Sequence, residues 1–168
     1  MKFKQLDITG FKSFSDKTSF LIENGLTGIV GPNGCGKSNI VEALRWCMGE
    51  NSAKSMRGSG MEDVIFSGTS NRASKNISEV SLLLDNQSKE CPAQYKEFDE
   101  ITVRRKIEKD KGSKYYVNDK EVRARDVQTL FADLSTGAHS PSLISQGKIG
   151  QLVTSKPIER KSILEEAA

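Results

Sequence analysis

The sequence predicts an α/β fold, a mixed sheet with an antiparallel hairpin lobe beside it, and three observations carry that expectation. Apolar and polar residues alternate at Phe3, Leu6 and Ile8 and again at Phe20 and Ile22, as half-buried strands require. A short apolar run at 26–30 leads into a glycine-rich stretch at 31–36 and then into a helical pattern. Two further strand patterns, 77–84 and 101–107, are followed by a turn cluster and another apolar pair.

Taken in order, the first two strands are separated by a turn-like stretch at 10–16. The run Leu26-Thr27-Gly28-Ile29-Val30 has the composition of a buried strand. From Ser38 onward apolar residues fall at Ile40, Val41, Leu44, Cys47 and Met48, the spacing of one helical face, with Gly49 placed as a C-terminal stop. Residues 51–75 are rich in Ser, Gly, Asn and Lys and read as a long loop broken by Val64-Ile65-Phe66. Asp110-Lys111-Gly112-Ser113 before Tyr115-Tyr116-Val117 predicts a hairpin, 124–134 a short helix, and Leu143-Ile144-Ser145 an extended piece ending at Gln146-Gly147. A helical pattern runs from Ser155 and Pro157 through Ala167 without a stop.

Composition narrows the class. The chain has 168 residues, 25 Lys and Arg against 22 Asp and Glu, and a net charge of +3, too balanced to announce a nucleic-acid partner by itself. No apolar run approaches the roughly 18 residues of a membrane helix, and Met1-Lys2-Phe3-Lys4-Gln5 lacks the apolar stretch of a secretion signal, so a cytoplasmic location is expected. Cys35, Cys47 and Cys91 are an odd number at wide spacing with a single His in the chain. That supports reduced thiols rather than a disulfide framework or a zinc site.

Gly31-Pro32-Asn33-Gly34-Cys35-Gly36-Lys37-Ser38 is the pattern of a phosphate-binding loop, set between a strand-like run and an amphipathic helix as that loop requires. Glycines let successive backbone N–H groups point at a triphosphate, and the helix N-terminus adds partial positive charge. Lys37 supplies a point charge for the β and γ phosphates, and the Ser38 hydroxyl a ligand for Mg²⁺. Hydrolysis also needs a metal-holding acidic strand end and a carboxylate to activate water. Ser81-Leu82-Leu83-Leu84-Asp85 is one candidate strand end, but Asn86 stands where a Glu is wanted. Leu134-Ser135-Thr136-Gly137-Ala138 lacks the second glycine of an ABC signature.

These residues together resemble the N-terminal half of the ATPase head of the SMC (structural maintenance of chromosomes) family. The resemblance rests on Ile8-Thr9-Gly10-Phe11-Lys12-Ser13-Phe14, on the loop 30–40, on 52–58 and 61–68, on Leu143-Ile144-Ser145-Gln146-Gly147-Lys148-Ile149 and on 163–168. It implies a P-loop NTPase fold in which residues 1–155 are the N-terminal lobe and 156–168 the start of a coiled-coil helix. It implies ATP held by Lys12, Ser13, Pro32, Asn33, Gly34, Cys35, Gly36, Lys37, Ser38, Asn39 and Arg57, with Cys35 where Ser is commoner. Gln146 would ligate Mg²⁺ beside Ser38 and orient water, so that Lys37 and Gln146 carry the catalytic roles. The partners implied are a C-terminal head lobe with signature and Walker B, a second SMC chain, kleisin-type subunits and double-stranded DNA bound without sequence preference.

The segment 101–125 holds nine basic residues against four acidic ones, a local +5. Arg104, Arg105, Lys106, Arg123 and Arg125, with Arg57, are the candidates for contact with DNA phosphates, and a solvated face of paired charges is the plain alternative. Two other functions share the motif: a self-contained small-molecule kinase with 101–125 as a lid, and a DNA-binding module whose phosphate loop is only structural.

Overall fold

The computed structural model describes residues 1–133. Six strands form one sheet: β1 (Lys2–Thr9), β2 (Thr18–Leu21), β3 (Ile77–Asp85), β4 (Glu100–Glu108), β5 (Gly112–Val117) and β6 (Lys120–Val122), in the order β2-β1-β3-β4-β5-β6. Helix α1 (Lys37–Cys47) packs on β3 and β4, and helix α2 (Ala124–Asp133) on β5. The helix expected from Ser38 thus begins one residue earlier, and it stops where Gly49 takes a φ of 104°. Gln146, the 134–138 and 143–149 segments, His139 and the 156–168 helix lie outside the described residues.

The α/β class stands, but every described strand pair is antiparallel where the sequence suggests a mixed sheet. The difference arises at 26–30, expected as a buried strand: that run is irregular, with Leu26 and Val30 almost fully exposed. A strand exists through its ladder, and among the described residues none lies beside this run to supply one. The stretch 101–125, weighed as a lid, is instead built into the sheet as β4, β5 and β6.

Alternation gives the sheet one apolar face. Val80, Leu82 and Leu84 of β3 and Ile101, Val103 and Ile107 of β4 are buried there, against Ala43, Trp46 and Cys47 of α1 and Val127, Leu130 and Phe131 of α2. Burying side chains of this size contributes about 1.5–3 kcal/mol each. Trp46 lies 5.4 Å from Phe11, ring centre to ring centre, which fixes α1 over the turn that follows β1. The Cys47 thiol donates toward Val80 and Val103 carbonyls, and burial pushes its pKa up to about 12, so it is inert packing.

One position on the apolar face carries a charge. Arg105 is 2% exposed; its guanidinium donates to the carbonyls of Trp46 (2.8 Å) and Glu50 (2.6 Å), to Asn51 Oδ1 and to Ser113 Oγ. It lies between the rings of Trp46 and Tyr115, 4.5 and 4.6 Å from their centres. Arg105 therefore cannot contact DNA: β4 points it inward, in register with Val80, and it is spent on one carbonyl in the last turn of α1 and one just beyond it. Arg104, on the outer face, is already compensated by Glu79 and Asp119 at 3.4 and 2.9 Å. Lys106, Arg123 and Arg125 make no ion pair among the described residues.

The long loop 51–75 is organised by the turn after β1. The Lys12 backbone N–H donates to the Val64 carbonyl at 2.7 Å, and the Phe66 N–H to the Gly10 carbonyl at 2.8 Å. Short turns at Lys54–Met56 and Met61–Val64 complete it. This stitching carries Lys12, Ser13 and Arg57 to the N-terminus of α1.

Candidate nucleotide-binding site

The site is built where residues 31–36 turn into α1. Gly36 caps the helix with φ 95°, and a Cβ there would come within 2.6 Å of Ser13 Oγ and meet the Phe14 ring. Only glycine gives both the left-handed backbone and the close approach. The first turn of α1 has no acidic residue and no side-chain cap; the Asn39 N–H donates to the Gly36 carbonyl, and the N–H groups of Lys37 and Ser38 ahead of it face the end of the helix where an anion is favoured. Lys37 Nζ donates to the carbonyls of Gly31 (2.5 Å) and Pro32 (2.6 Å), which folds the ammonium back along its own loop.

Around this turn the structure gathers residues far apart in sequence. Asn39 Nδ2 donates to Ser13 Oγ at 2.9 Å, and Arg57 Nη2 to Asn39 Oδ1 at 2.9 Å. Glu42, buried on α1, accepts from Lys12 Nζ with one oxygen and from Arg57 Nε with the other; Lys12 Nζ also donates to the Met56 carbonyl. Lys37, Ser38, Glu42 and Arg57 line an open cleft of about 420 Å³. Lys12, Ser13, Lys37, Ser38, Asn39 and Arg57, all expected from the sequence, thus meet in one place. Pro32, Asn33, Gly34 and Cys35 form the exposed rim of the loop.

The donor set fits a nucleotide triphosphate with a divalent cation. Two cations, Lys37 and Arg57, a run of glycines and a helix N-terminus suit phosphate oxygens, and the exposed Ser38 hydroxyl is a hard oxygen ligand. Glu42 was not foreseen; its trace was a lone carboxylate within Ile40-Val41-Glu42-Ala43-Leu44, four residues after Ser38. Asp85 is not part of the site. It pairs with Lys2 at the other end of β1 from Thr9, seven residues or about 23 Å along the strand, and it accepts from the Gln87 N–H.

Asp63 holds the turn just beyond Arg57. Its Oδ2 accepts from the N–H groups of Gly60 (2.9 Å) and Ser59 (2.6 Å) and from Ser59 Oγ (2.8 Å). The Gly60 N–H, then Ser59, hold its carboxyl below the ordinary 3.8. A depressed folded pKa stabilises fully above the unfolded value and ceases to stabilise as pH falls through the folded one. Asp63→Asn should therefore show a smaller loss of urea midpoint than wild type between about pH 6 and about pH 3, and an equal loss in both would show that this turn does not depend on the charge.

Residues 2–148 match the family model of the RecF/RecN/SMC N terminal domain. The Chromosome partition protein Smc of Cereibacter sphaeroides is 57% identical over 168 residues, and that of Rhodopseudomonas palustris 54%. Each match covers all of this chain and 15% of the relative, so the chain spans about 15% of the length of these curated proteins. Among solved structures, an SMC head bound to the C-winged helix domain of ScpA superposes with a TM-score of 0.92 at 29% identity, over 99% of this chain and 50% of that one. A chain solved in work on ATP-driven dimerization and DNA stimulated activation of SMC ATPases gives 0.89 at 29% identity, with 100% of both chains covered. With the phosphate loop and its gathered cations in the same frame, the chain belongs to the SMC family, as the N-terminal part of its head domain.

Proposed function

We propose that this chain is the ATP-binding half of an SMC head. Completed by a C-terminal lobe carrying the signature and Walker B, it hydrolyses ATP to drive DNA tethering, chromosome condensation and segregation. The observation that carries this is that Lys37, Ser38 and Arg57 line one cleft at the N-terminus of α1, with Ser13 tied to Arg57 through Asn39 and Lys12 through Glu42. Lys37 would exchange the Gly31 and Pro32 carbonyls for phosphate oxygens, and Ser38, with Gln146 as the resemblance implies, would hold a Mg²⁺ that offsets phosphate charge. The assembly is an SMC homodimer with kleisin-type subunits, cytoplasmic and nucleoid-associated. It binds double-stranded DNA without sequence preference, with Lys106, Arg123 and Arg125 as the cations free to meet phosphates.

Cys35 gives a direct test, because it is exposed in the loop while Cys47 and Cys91 are buried. With Mg·ATP at about ten times its Kd, roughly nine-tenths of the sites are filled and maleimide labelling of Cys35 should slow about tenfold. Lys37→Ala should abolish that protection. A labelling rate that ATP leaves unchanged in the folded wild type would overturn the proposal.

A further inference from the structure

We infer that Glu42 is a positioning residue of the phosphate site: its carboxylate fixes the Arg57 guanidinium, with the Lys12 ammonium as counterweight, so that the cation is ordered before a nucleotide arrives. The inference rests on the proposed ATP-binding role of the cleft.

A carboxylate beside a phosphate cleft is the wrong charge on its face, and Glu42 is only 8% exposed. Such a group persists when it is paired and hydrogen-bonded. Here each oxygen takes its own cation, Oε1 from Arg57 and Oε2 from Lys12, so the trio keeps a net +1 and the cleft stays cationic. The two cations then differ in what they have left. Lys12 is nearly buried and spends two of its three donors on Glu42 and the Met56 carbonyl, which ties the turn after β1 to the loop bearing Arg57. The Arg57 side chain is 58% exposed and is gripped through Nε by Glu42 and through Nη2 by Asn39, while Nη1 has no partner among the described residues.

Glu42 and Asn39 stand three residues apart on α1, one above the other on the same face, so both grips come from the element that also carries Lys37 and Ser38. A planar guanidinium held at two corners by one rigid helix presents its remaining N–H donors, both of those on Nη1 among them, in fixed directions. Without the Glu42 grip, a ligand would have to order a long, rotamer-rich side chain as it binds.

The test is a double-mutant cycle in the full chain, read as affinity for a fluorescent ATP analogue, with thermal melting recorded alongside. Glu42→Gln should weaken binding about 3- to 10-fold. Arg57→Ala should weaken it at least as much, and adding Glu42→Gln to Arg57→Ala should change affinity no further, since Glu42 acts through Arg57. Glu42→Asp, which keeps the charge one methylene shorter, should recover part of the loss, and it replaces Glu42→Gln in the cycle should that variant fail to fold. Three results overturn the inference: Glu42→Gln binding as tightly as wild type or tighter, its loss persisting in full on the Arg57→Ala background, or Arg57→Ala binding as wild type. Failure of the ATP-binding proposal shows differently, as a wild-type chain that does not bind the analogue.

Discussion

Replacing the buried Arg105 with methionine should lower the unfolding free energy by about 3–5 kcal/mol. Methionine fills much of the same volume, so the loss reports the donors rather than a cavity. The Trp46 and Glu50 carbonyls lose a buried charged donor, each such hydrogen bond contributing about 1.5–3 kcal/mol, although the Trp46 carbonyl keeps the Gly49 N–H, and two ring faces lose a desolvated cation. Burial pulls the Arg105 pKa below its ordinary value, which shows the cost of placing the charge there. Arg105→Lys should not rescue stability, because an ammonium cannot reach four acceptors in the plane that a guanidinium spans. Urea unfolding measures the effect, and a midpoint shift equivalent to less than about 1 kcal/mol would contradict this account of how α1 is locked to the sheet.

Arg105 also shows where legibility ends. Its neighbours Arg104 and Lys106 carry the same charge, and only the phase of β4 decides that the middle one faces inward. Charge counting over 101–125 treats the three alike, whereas the sheet compensates one, buries one and leaves one without an ion pair among the described residues. Local signals did better. The phosphate loop, α1 and its Gly49 stop, β1, β3, β4 and the hairpin turn follow from spacing and glycine placement alone. Strand β6 was missed because it has three residues and its turn, Asn118-Asp119, uses two non-glycine residues at φ 46° and 62°. The run 26–30 was misjudged in the opposite direction: its composition is that of a buried strand, but burial is a property of neighbours, which a window of five residues does not contain. Glu42 was hidden for a related reason, since its two partners lie 30 residues before it and 15 after it along the chain.

The 168 residues by themselves should bind ATP without turning it over. Hydrolysis needs a carboxylate free to take a proton from water within reach of the γ-phosphate. Among the described residues the carboxylate in the cleft is Glu42, and each of its oxygens already holds a cation. Asp63 is committed to the 59–60 turn, and Asp85 lies at the far end of β3. Turnover of the isolated chain should therefore stay at background in a phosphate-release assay. On the proposed half-head reading it should appear when a C-terminal lobe is supplied, since that reading assigns the water-activating carboxylate and the facing signature to that lobe. In the complemented head, Lys37→Ala should cut the rate at least about 100-fold, the scale on which removing one preorganised charge from a phosphoryl-transfer site acts. The same substitution should abolish ATP protection of Cys35, which ties the loss to phosphate binding rather than to assembly of the lobes. Turnover by the isolated 168 residues that Lys37→Ala removes would place the catalytic carboxylate within this chain, and the half-head account would fail with it.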